Sequence, residues 1–223
     1  MEKEMMGWKH AWMFFSVAAA ALDDELTLST LTRWAETGLF TDCPFGAEDR
    51  YIRQGVRQMA MWLEDLMEDP RMEEKRRQDY LQLFIGTPKP LAPIWGSFYM
   101  EEEKLLFHDT TAKAGKWYRK YGLGVRREKG LPEDHCLYEL LFITALLEGW
   151  QTGLKEGKEE EAKKRLEDLK AFVTGQMLPW IGSWREEVML YGRTEYYRGL
   201  SNMVYGGVRR LAEMEVACGT GDH

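Results

Sequence analysis

The sequence predicts an all-α fold, a single globular helical domain of about nine helices, and three observations carry that prediction. Long stretches place apolar residues at three- and four-residue spacing, while the alternation that marks a half-buried strand is scarce. The chain has 223 residues, 44% of them hydrophobic, with nine Trp, ten Tyr and nine Phe, which is ample material for a core. No internal repeat appears, and proline- and glycine-rich punctuation stands out in two places, Gly38 to Gly46 and Gly86 to Ser97.

The first helix is read from Glu4 to Ala21. Its apolar run, Ala11 to Leu22, has small residues at Ala18 to Ala21, as a signal peptide would. Its flanks disagree: Glu2 and Glu4 accompany Lys3 and Lys9, Asp23-Asp24-Glu25 follows, and the run falls short of the ~18 residues that span a bilayer. A buried first helix is the expectation. Helices Leu28 to Thr37, Ala47 to Met67 and Met72 to Ile85 complete an N-terminal half, residues 1–86, with the Cys43-Pro44 loop between the first two.

A connector, residues 87–130, follows. Pro88, Pro90 and Pro93 fix φ and lower the entropy lost when an exposed segment is ordered. Beyond them Phe98-Tyr99-Met100 and Leu105-Leu106-Phe107 flank Glu101-Glu102-Glu103 as the arms of a short hairpin. A helix from Thr111 to Tyr121 then stops at Gly122. The C-terminal half, residues 131–216, opens with a helix from Pro132 to Leu154 that is apolar nearly all round between Leu137 and Leu147, the mark of a central helix. Glu159 to Thr174 pairs Glu159, Glu160 and Glu161 with Lys163, Lys164 and Arg165 at i,i+4, a solvated face. Helices Pro179 to Leu190 and Glu195 to Val216 and a tail, 217–223, end the chain.

With 37 acidic and 30 basic residues the net charge is -7, which disfavours nonspecific binding to nucleic acid or anionic lipid and suits a cationic partner. Cys43, Cys136 and Cys218 are an odd, scattered set without a CxxC pair, as fits a reducing cytoplasm. His10, His108 and His223 stand apart from His135. His135 and Glu139 share a helix face at i,i+4, but no further ligands accompany them and no HExxH occurs, so no metal is expected. Cys136 beside Leu137 reads as a small core residue, and the GxSxG, GxxxxGK[ST] and GxGxxG signatures are absent. Neither an enzyme nor a cofactor is expected. The alternative is a small helical hydrolase or nucleotide-binding protein built on Asp134, His135 and Glu139.

Three segments have side chains suited to gripping a peptide. Tyr80, Leu83 and Phe84 fall at i, i+3 and i+4 on one helical stripe, which is either core or one wall of a groove. Trp95, in the loop Pro93-Ile94-Trp95-Gly96-Ser97, is harder to bury than a helical Trp, and aromatics beside prolines make peptide-binding walls. Pro132-Glu133-Asp134-His135 is either a well-made helix start, with carboxylates where the dipole favours them, or the acidic head of that groove.

Tyr80-x-x-Leu83-Phe84-x-Gly86, then Pro93-x-Trp95-Gly96-Ser97 with Tyr99, then Leu106-Phe107, Tyr121-Gly122-Leu123 and Pro132-x-Asp134-His135, in that order, resemble the TorD/DmsD family of chaperones for molybdenum-containing redox enzymes. Ile94 stands where DmsD-like members carry proline, and Leu131 where an acidic residue often precedes the proline. The resemblance implies a cytoplasmic chaperone of anaerobic respiration that binds the twin-arginine signal peptide of a molybdoenzyme precursor before export. It implies Tyr80, Leu83, Phe84, Pro93 and Trp95 as peptide-binding residues, with Gly96, Ser97, Asp134 and His135. Nucleic-acid binding and stable membrane insertion are not expected, and monomer and dimer both stay open. Exposed ion pairs are worth about 0–1 kcal/mol, against an association cost of roughly 4–15 kcal/mol. Charge would therefore select the leader and apolar burial would hold it.

Overall fold

The computed structural model describes residues 2–86, 88–100, 109–126 and 130–216, with side chains from Met5 onward. Within them run α1 (Glu2–Leu22), α2 (Leu28–Glu36), α3 (Arg50–Glu68), α4 (Met72–Tyr80), the single turn α5 (Ser97–Met100), α6 (Asp109–Lys120), α7 (Cys136–Lys155), α8 (Glu159–Phe172), α9 (Leu178–Tyr191) and α10 (Glu195–Glu213). Two π turns, Leu81–Ile85 and Val173–Met177, extend α4 and α8. The described residues contain no strand, only one isolated bridge between Trp95 and His135. The all-α single domain is as the periodicity predicts.

Local chemistry sets where helices begin. Asp49 accepts from the Tyr51 and Ile52 N–H groups, so α3 starts at Arg50 and not at Ala47. α7 starts at Cys136, four residues past the predicted Pro132, because Pro132 to His135 closes a separate turn (His135 N–H to Pro132 O, 3.0 Å) and His135 takes the cap, its Nδ1 accepting from the Leu137 N–H at 3.2 Å. The predicted hairpin needs correction at its first arm. Phe98, Tyr99 and Met100 lie in the helical turn α5, whose Tyr99 and Met100 N–H groups both reach the Gly96 carbonyl. The second arm, Leu105 to Phe107, falls outside the described residues, as do the acidic turn 101–103, His108 and the tail.

The core has two layers that share α1. α7 packs against α1 and α8, as befits a central helix, although Leu141 opens to solvent on one side. α10 packs against α3, α9 and α1. The α3–α10 crossing is close enough that a Cβ on Gly55 would stand 2.5 Å from the Gly199 carbonyl oxygen, so only glycine lets these backbones meet. α4 is anchored by two buried charges. Arg76 binds Glu73 and donates to the Tyr197 hydroxyl, and Asp79 accepts from the Arg193 and Thr194 N–H groups and the Thr194 hydroxyl at the start of α10. No described helix is long and apolar enough to cross a membrane.

Candidate functional site

The connector folds back across the end of α4 and is then sewn to the head of α7. Leu91 and Ala92 donate to the Gln82 and Leu83 carbonyls of the first π turn, at 3.2 and 2.8 Å. Further along, the Cys136 N–H donates to Ile94 O (3.0 Å) and the Gly96 N–H to Asp134 O (3.1 Å). Residues 93–97 thus form a strap lying on the turn that precedes α7.

Asp134 fastens that strap from inside. It is 0% exposed, its Oδ2 accepting from the Ser97 N–H at 2.6 Å and its Oδ1 from the Thr111 hydroxyl at 2.9 Å. One carboxylate therefore caps α5, ties in α6 and holds the loop, which is why Phe98 to Met100 is helical. Pro93, Gly96 and Ser97 are buried with it, and Trp95 is half-buried, its ring edge-on to Phe98 at 6.4 Å. The structure brings Pro93, Trp95, Gly96, Ser97, Asp134 and His135 into this one unit.

Tyr80, Leu83 and Phe84 make a second unit on the other side of the connector. Leu83 and Phe84 are buried, and Phe84 packs on Tyr197 and Trp184 with Tyr80 against both Phe84 and Tyr197. The π turn instead leaves Leu81 at 55% and Ile85 at 54% exposed. Leu91 on the returning connector is exposed as well, so the apolar surface here belongs to three residues the stripe did not single out. Their signal was visible: Leu81-Gln82-Leu83-Phe84-Ile85 is apolar on more than one face, and a helix end buries one face.

Beneath the strap lies an acid. Glu139, one helical turn past His135, is 0% exposed, and neither carboxylate oxygen has a hydrogen-bond partner of full geometry. Burial, then the nearby Asp134, pushes its pKa well above the ordinary carboxylate range, while the Gln176 amide and Trp180 indole beside it pull the other way. The same burial raises the Cys136 thiol, which stays protonated and unreactive at neutral pH. Trp180 runs under Gly96, whose absent Cβ would sit 3.0 Å from the indole nitrogen, and Tyr99 stacks on Trp180 at 5.7 Å and 15°. The Trp95 and Trp180 indole nitrogens and the Ser97 and Tyr99 hydroxyls here are buried without a hydrogen-bond partner of full geometry as well. Tyr99, Gln176 and Trp180 were not among the expected peptide-binding residues, and Glu139 was named only beside His135 at metal-ligand spacing and in the alternative hydrolase reading.

Beside His135 an apolar cleft of about 300 Å³ follows the open side of α7, lined among others by Tyr118, Val125, Leu137, Tyr138, Leu141 and Phe142. Its lining is mostly apolar, with Asp23 and Arg126 beside the apolar side chains. Among the described residues no three His, Cys, Asp or Glu side chains gather as a metal ion would require.

The model of the nitrate reductase delta subunit family matches residues 49–186, a region holding the strap, the head of α7 and both π turns. The Tat proofreading chaperone DmsD of Salmonella typhimurium is 27% identical over 131 residues, 59% of this chain and 57% of that protein. The chaperone protein TorD of Vibrio vulnificus is 23% identical over 177 residues, 78% of this chain and 79% of that one. The chain thus spans little more than half the length of the DmsD relatives it matches. With more than half of its residues matched by the family model and its relatives so named, the chain belongs to the nitrate reductase delta subunit family, the family of the TorD and DmsD chaperones.

Proposed function

We propose that this chain is a cytoplasmic chaperone that binds the twin-arginine signal peptide of a molybdoenzyme subunit and assists its maturation before export. Membership of a family whose relatives are named Tat proofreading chaperones supports this reading. One structural observation supports it further: the motifs at Tyr80 to Gly86, Pro93 to Ser97 and Pro132 to His135 meet through residues 91–97, which bond to the first π turn and to the head of α7. In this reading the partly exposed Trp95 and Tyr80 border the peptide, with the buried His135 behind them at the head of α7. Leu83, Phe84, Pro93, Gly96, Ser97 and Asp134 shape its seat from within.

The apolar part of a leader has two places to go, the cleft along α7 and the Leu81, Ile85 and Leu91 patch. Four or five leader side chains buried at ~1.5–3 kcal/mol each, less the cost of association, leave an affinity on the order of micromolar. That holds a client and still lets it go.

The test is co-purification of a twin-arginine leader fused to a reporter. Wild type is expected to retain the fusion and the Asp134→Asn plus Trp95→Ala variant to lose it. Equal capture by both removes the proposed site, and no capture by wild type removes the function.

A further inference from the structure

The partial positive charge at a helix N-terminus and the negative one at its C-terminus favour acids in the first turn and bases in the last. α8 follows that rule, with Glu159, Glu160 and Glu161 in its first turn and Lys170 in its last. α3 reverses it. Arg50, Arg53 and Arg57 occupy its first half and Glu64, Asp65 and Glu68 its second, with no acid in the first turn and no base in the last. Like charges are also neighbours, Arg53 with Arg57 and Glu64 with Glu68 at i,i+4, a spacing at which opposite charges stabilise a helix and like ones weaken it.

All six charges lie on the outer face. α3 buries Ile52, Gly55, Met59, Trp62, Leu63 and Leu66 on one side, and the charged residues, every one exposed, run along the other. Among the described residues none of the six has an ion-pair partner within 4.0 Å. The basic end is reinforced from two other helices. Arg185 of α9 and Arg209 of α10 stand 4.8 and 5.6 Å from the Tyr51 ring, which Arg50 covers at 4.5 Å. The charges around these ends are already engaged. Asp49 caps α3 and lies 4.0 Å from Arg209, Glu213 is 3.9 Å from Arg209, Glu48 is 3.6 Å from Arg210, and Arg71 binds Asp69. Midway between the two ends sit Ala60 and Met61, and the Met61 side chain is 48% exposed.

A stripe that is basic at one end and acidic at the other is its own complement when turned end over end. A twofold axis passing between Ala60 and Met61 sets Arg53 of one copy opposite Glu68 of the other and Arg57 opposite Glu64, while Met61 meets its own copy near the axis. Such a contact is self-complementary, as a twofold interface must be. A purely acidic or purely basic partner satisfies one end of the stripe and is repelled by the other, and a nucleic acid or anionic membrane also meets the net charge of -7.

We propose that the outer face of α3 is a docking surface for a second copy of this chain, paired antiparallel through α3 as a symmetric, salt-sensitive dimer. The inference uses nothing from the function proposed above. Exposed ion pairs contribute little each and are screened by salt, so the dimer is weak and forms at high protein concentration.

Sedimentation velocity of the full chain is the test, with two double variants. Arg53→Glu plus Arg57→Glu makes the stripe acidic throughout, and Glu64→Arg plus Glu68→Arg makes it basic throughout. Wild type is expected to dimerise as concentration rises and to dissociate as salt is added. Each variant alone is expected to stay monomeric, and an equal mixture of the two to associate more tightly than wild type. Both variants keep a negative net charge, so only a local match draws them together. Wild type that stays monomeric up to about 1 mM at low salt, a variant that dimerises as wild type does, or folded variants that ignore each other overturns the proposal. If a charge-reversed variant fails to fold, Arg53→Gln plus Arg57→Gln takes its place; at least about tenfold weaker dimerisation is expected, and unchanged dimerisation overturns the surface.

Discussion

Asp79 and Glu139 are both buried acids, 2% and 0% exposed, in helices of the same domain, and they are opposites in every other respect. The Asp79 carboxylate accepts from two backbone N–H groups and a hydroxyl of Arg193 and Thr194, just ahead of α10, and so ties the end of α4 to the turn that leads into α10. Glu139 closes no bond of full geometry and is kept neutral by its surroundings. Burial alone therefore says little about what an acid does. A carboxylate saturated with donors holds a fold together, whereas a buried acid without a donor of full geometry is accommodated by keeping its proton.

Asp79→Ala should show the largest effect, since it strands the buried Thr194 donors, frees the Arg193 N–H and unties α4 from the turn before α10. A loss of about 3 kcal/mol or more is expected, read as a lower urea midpoint. A loss under about 1 kcal/mol would erase the distinction between the two acids. Asp134→Asn comes next. It removes the charge from the bond to the Ser97 N–H and should cost roughly 1.5–3 kcal/mol, with faster amide exchange at Ser97 as the local readout.

Glu139→Gln should differ in sign. In the folded chain the Glu139 carboxyl stays protonated above its ordinary pKa of 4.5, while the unfolded chain releases that proton. The folded state then holds more protons, so this group's contribution to stability falls as pH rises from the ordinary carboxylate range up to the raised pKa. The slope is at most about 1.4 kcal/mol per pH unit. Denaturant titrations should find the Gln variant close to wild type at pH 4 and more stable than wild type at pH 8. Equal pH profiles would mean that Glu139 ionises normally. Leu141→Ser should have the smallest effect on the melting temperature, within about 0.5 kcal/mol for an open surface position. The same change is expected to weaken capture of a leader fusion, because Leu141 lines the apolar cleft.

The long helices were legible because burial repeats along them with the helical period, whereas the single turn α5, expected as a hairpin arm, was not. The turns that deviate were not. The π turns at Leu81–Ile85 and Val173–Met177 share no sequence pattern that marks them, yet the first decides that Leu83 and Phe84 face the core and Leu81 and Ile85 face water. Pro132-Glu133-Asp134-His135 was readable as a helix start with an acidic residue, and His135 is indeed the cap. That Asp134 reaches back 37 residues to Ser97 is a fact of tertiary structure, and no spacing within the motif encodes it. Glu139 was noticed only as a partner for His135 in a metal site, because sequence shows an acid's neighbours along the helix and not the indole and amide that approach from α9 and the second π turn.

The glycine-to-glycine contact of α3 with α10 has a consequence for how the chain is made. Asn202 of α10 bonds Gln58 of α3 across 144 residues, and the two backbones touch at Gly55 and Gly199. During synthesis from the N-terminus, at roughly 5–20 residues per second, α3 must wait many seconds for the helix that covers it. Its apolar face, with Ile52, Met59 and Trp62, is open throughout that interval. Ribosome-bound nascent chains ending before α10 should accordingly be protease-sensitive across α3, and those ending after it resistant.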